Sequence, residues 1–220
     1  MLDIFLDFYP LLFRGLGVTL LITLISCTSG TILGIFLSLG KIYGNKLVSR
    51  TVTAFIAIIR GTPLLVQLFI IYYGLPAYGI RFAPITAAVI SFIINSGAYQ
   101  AEYLRGSIQS VSSGQLKAAL SLGMTKWMGI IHVVLPQALR RVIPAWTNEF
   151  IYMIKYSSLA YVIGAKELMT EGKLIASRNF QFFNVYMVVA LIYLVVIIIF
   201  VHLFNKFEKK VAIPGFDFER

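Results

Sequence analysis

The sequence predicts an all-α integral membrane protein of about five transmembrane helices. Three observations carry this. The chain is 59% hydrophobic and 13% charged, where soluble domains are roughly 45–50% apolar and about 25% charged. Its apolar residues gather into runs of about 20, enough to cross a bilayer core. Its basic residues, 19 Lys+Arg against 9 Asp+Glu, are dispersed between those runs. A nucleic-acid surface would cluster them; loops on the cytoplasmic side of a membrane disperse them.

The first expected span is Gly15 to Leu39, free of charge, with Gly17, Ser26, Gly30 and Gly34 suited to close helix contact. The acidic start, with Asp3 and Asp7, lacks the basic region of a cleavable signal peptide. A single cysteine, Cys27, rules out an intramolecular disulfide. The second span, Val52 to Tyr73, is interrupted at Arg60-Gly61-Thr62-Pro63. Proline removes an amide donor there, so Arg60, Gly61 and Pro63 mark either a hinge or substrate-facing discontinuity, or a simple kink with Arg60 on the freed carbonyls.

A short loop, Leu75 to Ala83, leads to a third span, Pro84 to Leu104, with Ser91, Asn95, Tyr99 and Glu102 at i, i+4, i+8, i+11. A long loop follows from Arg105 to Arg141. The fourth span, Val142 to Ile163, carries Asn148, Tyr152 and Lys155 on one face, with Glu149 and Tyr156 beside it and Ser157 and Ser158 after it. Polar groups in lipid are costly and usually face a cavity or a partner helix. Two such stripes on consecutive spans point to a polar pathway; the alternative is bonding between helices, Glu102 with Arg105 or Lys155 with a carbonyl. A loop with a short helix over Lys166 to Ser177 precedes the apolar fifth span, Val185 to Phe204. No repeat or linker divides the chain, so residues 1–220 read as one domain.

Within the long loop, Gly114 to Pro136 reads as two short helices. Ser113 is expected to cap the first, over Gln115 to Leu122, with Leu116, Ala119 and Leu120 on one face and Gly123 as the stop. Thr125 caps the second, which runs toward Val134, and Pro136 imposes a new direction. A two-turn helix is unstable alone, so something must hold it. The alternate loop sets carry twelve and five basic residues, which places the N-terminus outside and Gly114 to Pro136 in the cytoplasm. No GxxxxGK[ST] phosphate loop, HExxH or metal-ligand spacing around His132 or His202 occurs.

The same stretch resembles the EAA loop of permease subunits of ABC importers. Lys117-Ala118-Ala119 is followed by Gly123 after three residues, then by Val133-Val134-Leu135-Pro136 after nine. Segments 60–76, 99–111, 135–144 and 148–159 are similar to polar-amino-acid permeases of the histidine, glutamine and arginine type. The likeness covers about residues 13–205 and implies the type I ABC importer permease fold in a prokaryotic cell membrane. It implies a second permease subunit, two cytoplasmic ATPase subunits holding ATP and magnesium, and an extracytoplasmic amino-acid-binding protein. This chain would bring no cofactor and no catalysis. Its loop at 114–136, through Gln115, Lys117, Ala118, Ala119, Leu122, Gly123 and Met124, would be the coupling contact, the ATPase being what holds the short helix.

Lys117 stands where the family has glutamate, opposing the helix dipole by roughly 0.3–1 kcal/mol; an acidic ATPase residue is expected opposite it. Substrate would follow the two stripes, Glu102 meeting a cation and Lys155 a carboxylate. That favours a basic amino acid (arginine, lysine or histidine), then glutamine. A secondary transporter or channel driven by an ion gradient through Glu102 and Glu149 is the competing class.

Overall fold

Apolar and aromatic residues at both ends of the first span carry its helix well past Gly15 and Leu39. In the computed structural model, which describes residues 2–211 and their side chains from Ile4, α1 runs Leu2–Tyr43 through Pro10. At 42 residues it is about 63 Å long, roughly twice a bilayer core. The extension is held by packing: Ile4, Leu12, Phe5 and Phe8 lie against Leu168, Ile175, Val185 and Val188 of two later helices. Arg220, one of the charges counted in the expected orientation, lies outside the described residues, as does the side chain of Asp3.

The second span is not straight. α2 (Lys46–Gly61) and α3 (Leu64–Phe69, continued by a π turn, Ile70–Gly74, and a 3₁₀ turn, Leu75–Tyr78) meet at a bend of 103°. Thr62, before the proline, is extended at φ −114°, ψ 143°, as the proline ring requires. The freed carbonyls go to a residue that sequence reasoning did not single out. Gln67 donates through Nε2 to the carbonyls of Ile59 (2.7 Å) and Thr62 (3.1 Å). Arg60 is therefore not their partner.

α4 (Pro84–Ser110) outlasts the expected third span by six residues. It packs most extensively on α1, where Gly30 and Gly34 permit the approach. A Cβ on Gly34 would lie 3.1 Å from the Ala101 amide. Gly17, expected at such a contact, faces open space instead.

α5 is Ser113–Ser121, and its cap is Ser112, one residue earlier than expected, accepting from Gly114 N at 3.3 Å. Its end is a Schellman turn: Gly123 has φ +84°, its amide donates to the Leu120 carbonyl, and the Met124 amide donates to that of Ala119. Thr125 caps α6 (Lys126–Gly129) through Met128 N, as expected. Pro136 imposes no new direction. A π turn, Ile130–Val134, joins α6 to α7 (Leu135–Tyr156) with right-handed helical backbone throughout. The wider π turn absorbs the missing proline amide, and Pro136 sits in the first turn of α7.

A 3₁₀ segment, Ser157–Ile163, extends α7. α8 is Leu168–Asn179, two residues later than expected, because Glu167 caps it by accepting from the amides of Met169 (2.9 Å) and Thr170 (2.8 Å). Glu167 is fully buried and also accepts from Thr19 Oγ1 and Tyr193 Oη, so it pins α1 to α9 (Phe182–Val211). Burial pushes its carboxyl above the usual carboxylate range, opposed by the two amide bonds. α1 and α9 are long and apolar enough to cross a membrane, and the bent α2–α3 pair makes a third span if counted as one. α4 and α7 have the length but carry the polar stripes.

Candidate functional site: a polar face between helices four and seven

The two stripes do not share one environment. On α4, Ser91 and Asn95 are buried within the chain. Asn95 Nδ2 donates to Gln67 Oε1 at 3.0 Å, so it braces the bend between α2 and α3. Tyr99 is half-buried, with the Arg60 guanidinium 5.0 Å from its ring centre. Glu102 sits among three cations: Lys41 Nζ at 2.5 Å, Arg105 Nε at 2.9 Å and Arg60 Nη1 at 4.0 Å. The bonding of Glu102 with Arg105 is thus present, and Lys41 and Arg60 join it.

On α7, Asn148, Tyr152, Lys155 and Tyr156 are exposed along one face. Lys155 Nζ lies 4.3 Å from the Tyr152 ring centre, and the Tyr152 and Tyr156 rings stack at 6.2 Å. Glu149 is turned inward, 5% exposed, with Tyr103 Oη donating to it at 3.4 Å. Ser157 and Ser158 point back along their own helix, to the carbonyls of Ile154 and Lys155.

The stripes meet at one place. Tyr103 of α4 donates to Glu149 of α7 at 3.4 Å, and the Arg60 guanidinium lies over Tyr99, one turn before Tyr103. The result is a face with two accessible cations, Arg60 and Lys155, a set of tyrosines, and one recessed carboxylate. Arg60 was read from sequence as part of a hinge or substrate-facing break, and Tyr103 was not singled out; its place four residues after Tyr99 was the available signal. Such a face can accept a carboxylate at its cations. It can hold an ammonium against tyrosine rings and the recessed Glu149.

The second group of residues lies on α5 and its turn. Leu116 packs inward against Ile108, Val111, Val134 and Ala138, and Ala119 is buried beside Gly129. The chain itself therefore holds one side of the short helix. Leu120, expected on that inner face, is 44% exposed, and Leu122 is 84% exposed. Gln115, Lys117, Ala118 and Gly123 are also exposed, Met124 is half-buried, and Ala119 is buried. Two ties link the short helices to the long ones: Tyr43 packs edge-on against Trp127 at 6.3 Å, and Gln137 Nε2 of α7 donates to Gln115 Oε1 of α5 at 3.4 Å.

Residues 30–212 match the family model described as binding-protein-dependent transport system inner membrane component. The chain is 40% identical over 207 residues to the probable amino-acid ABC transporter permease protein YckA of Bacillus subtilis (strain 168), covering 94% of this chain and 92% of that protein. It is 37% identical over 206 residues to the glutamine transport system permease protein GlnP of Escherichia coli (strain K12), covering 93% and 94%. Among solved structures, an amino acid ABC transporter crystallised with histidines matches with a TM-score of 0.86 at 40% identity, covering 93% of this chain and 96% of that one. The inward-facing MetNI methionine ABC transporter shares the fold, with a TM-score of 0.79 at 22% identity, over 94% and 99%.

Proposed function

The chain belongs to the family of binding-protein-dependent transport system inner membrane components, and on that premise we propose that it is the permease subunit of an ATP-driven amino-acid importer. Residues 1–220 then form one permease domain. It works beside a second permease, identical or closely related. Two ATPase subunits hold ATP and magnesium, and an external amino-acid-binding protein delivers the substrate. Relatives named for amino-acid and glutamine transport support this reading. The N-terminus lies outside and the C-terminus inside, so Leu122 and Lys117 project toward the ATPase. Pathway, coupling and hinge roles go to the residues described above, with the bend at Arg60–Pro63 as the hinge.

The substrate reading shifts with the geometry. A basic amino acid was favoured because Glu102 offered a negative charge. Lys41 and Arg105 now neutralise that charge directly, and Arg60 and Lys155 add cations to the accessible face. The function supported best is therefore uptake of a polar, uncharged amino acid such as glutamine. Its carboxylate would meet Arg60 or Lys155, and its ammonium the tyrosines. The observation that carries this is the triple cation contact of Glu102. The second reading, a basic amino acid, rests on Glu149, which is recessed beside Tyr103. Uptake by proteoliposomes with the cognate ATPase and binding protein separates the two. Labelled glutamine competed by excess glutamine and not by arginine is the expected result; the reverse overturns it.

A further inference from the structure

The side of α7 that receives α9 continues past the end of α9. Phe150 packs on Phe200 and Phe204, with ring centres 5.2 and 5.3 Å apart, and Trp146 packs on Phe204 at 5.9 Å. Thr147 Oγ1 donates to Glu208 at 2.5 Å. Along this series the α9 numbers rise as the α7 numbers fall, so the two helices run antiparallel. α9 stops at Val211, three residues beyond Glu208. Arg140 and Pro136, seven and eleven residues before Thr147, lie on the same side of α7 as Thr147. Both are exposed.

A cavity of about 360 Å³ opens there, lined by His132, Val133, Pro136, Gln137, Arg140 and Arg141. Its walls are tied down. Arg141 Nη1 donates to the Ser110 carbonyl and Oγ at the end of α4, and Gln137 Nε2 donates to the Val133 carbonyl at 2.8 Å. Its charge is of one sign, since no Asp or Glu occurs from Tyr103 to Asn148. The nine residues after Val211, 212–220, read AIPGFDFER and bring Asp217 and Glu219. Their reach fits the cavity. Arg140 lies about 10 Å and His132 about 22 Å from Thr147 along α7, and Val211 lies about 4–5 Å beyond Glu208 along α9. The six residues from Val211 to Asp217 span at most about 20 Å.

We propose that this cavity is the dock for the chain's own segment 216–219, with Asp217 and Glu219 set against the guanidinium groups of Arg140 and Arg141. The segment then straps the end of α9 to the start of α7. Through Gln137, which touches Gln115, the strap also bears on α5, so a displacement of α5 is carried to α9 as well as to α7. The dock holds for either orientation in the membrane and for any substrate. Its failure therefore leaves the importer reading untouched.

Crosslinking within the full chain tests the dock. Gln137→Cys with Phe218→Cys leaves both carboxylates and both arginines in place, and Cys27, fully buried, takes no part. A short bismaleimide should join this pair readily, and should join Phe218→Cys to Arg50→Cys, exposed on α2, far more slowly. Adding Arg140→Gln, or Asp217→Asn together with Glu219→Gln, should slow the first reaction about fivefold, the weight of one well-formed surface ion pair. Adding Arg140→Lys should retain most of the rate. Equal rates at the Gln137 and Arg50 positions, or a rate indifferent to Arg140→Gln, overturn the dock. A pair that joins in the isolated chain and fails to join in the complex with the cognate ATPase assigns the cavity to the ATPase and overturns the dock as well. If Gln137→Cys does not fold, His132→Cys is read in its place with the same outcomes.

Discussion

Gln67 shows how one side chain can make a broken helix stable. Pro63 strips the end of α2 of an amide donor, and the Gln67 amide returns one, while Asn95 holds that amide from α4. Gln67→Leu takes the acceptor from the buried Asn95 amide, at about 1–3 kcal/mol. It should lower the unfolding midpoint in detergent. Adding Asn95→Leu should cost less than its separate effect, because the two share one network; full additivity would contradict the relay. Lys155 acts on function instead. It is exposed and stacked on Tyr152, so Lys155→Ala should leave stability within about 0.5 kcal/mol and raise the KM for uptake. At this scale the sequence was partly readable. The spacing of Asn148, Tyr152 and Lys155 marked one helix face, because helical period is local. That Ser91 and Asn95 point inward, and that Glu102 meets Lys41, depends on which helix lies opposite.

At the scale of elements, the unit α5–α6 is a short helix with an inner side and an outer tip. Leu116 and Ala119 bury the inner side; Leu122 stands out beyond the turn. Leu122→Ala should therefore keep the midpoint unchanged and reduce substrate-stimulated ATP hydrolysis several-fold in the reconstituted complex. A lowered midpoint with normal coupling would show that Leu122 packs inward. Gly123→Ala forces a side chain into φ +84° and should cost roughly 1–2 kcal/mol. The stop at Gly123 and the Thr125 cap were legible because both are local chemistry. The end of α4, the start of α7 and the passage through Pro136 were not. Polar residues there suggested a loop, while packing of Ile108, Val111, Val134 and Ala138 kept the backbone helical.

For the molecule as a whole, the fold class followed from composition and run length, and the five helical segments were each placed near their observed positions. The 103° bend was not, since proline signals a break without its angle. Orientation is tested simply, because the one native cysteine, Cys27, is fully buried and should stay silent toward a membrane-impermeant maleimide. Lys117→Cys should label only in inside-out vesicles, and Tyr78→Cys only in right-side-out ones; the opposite pattern inverts the topology. The unbroken run from Lys126 through the π turn to Lys155 then takes on a mechanical meaning. It is a lever arm of about 44 Å, so a tilt of about ten degrees at its Lys126 end sweeps its far end through about 8 Å. An ATPase that moves the tip of α5 only slightly can thereby shift Tyr152 and Lys155 by the width of an amino acid.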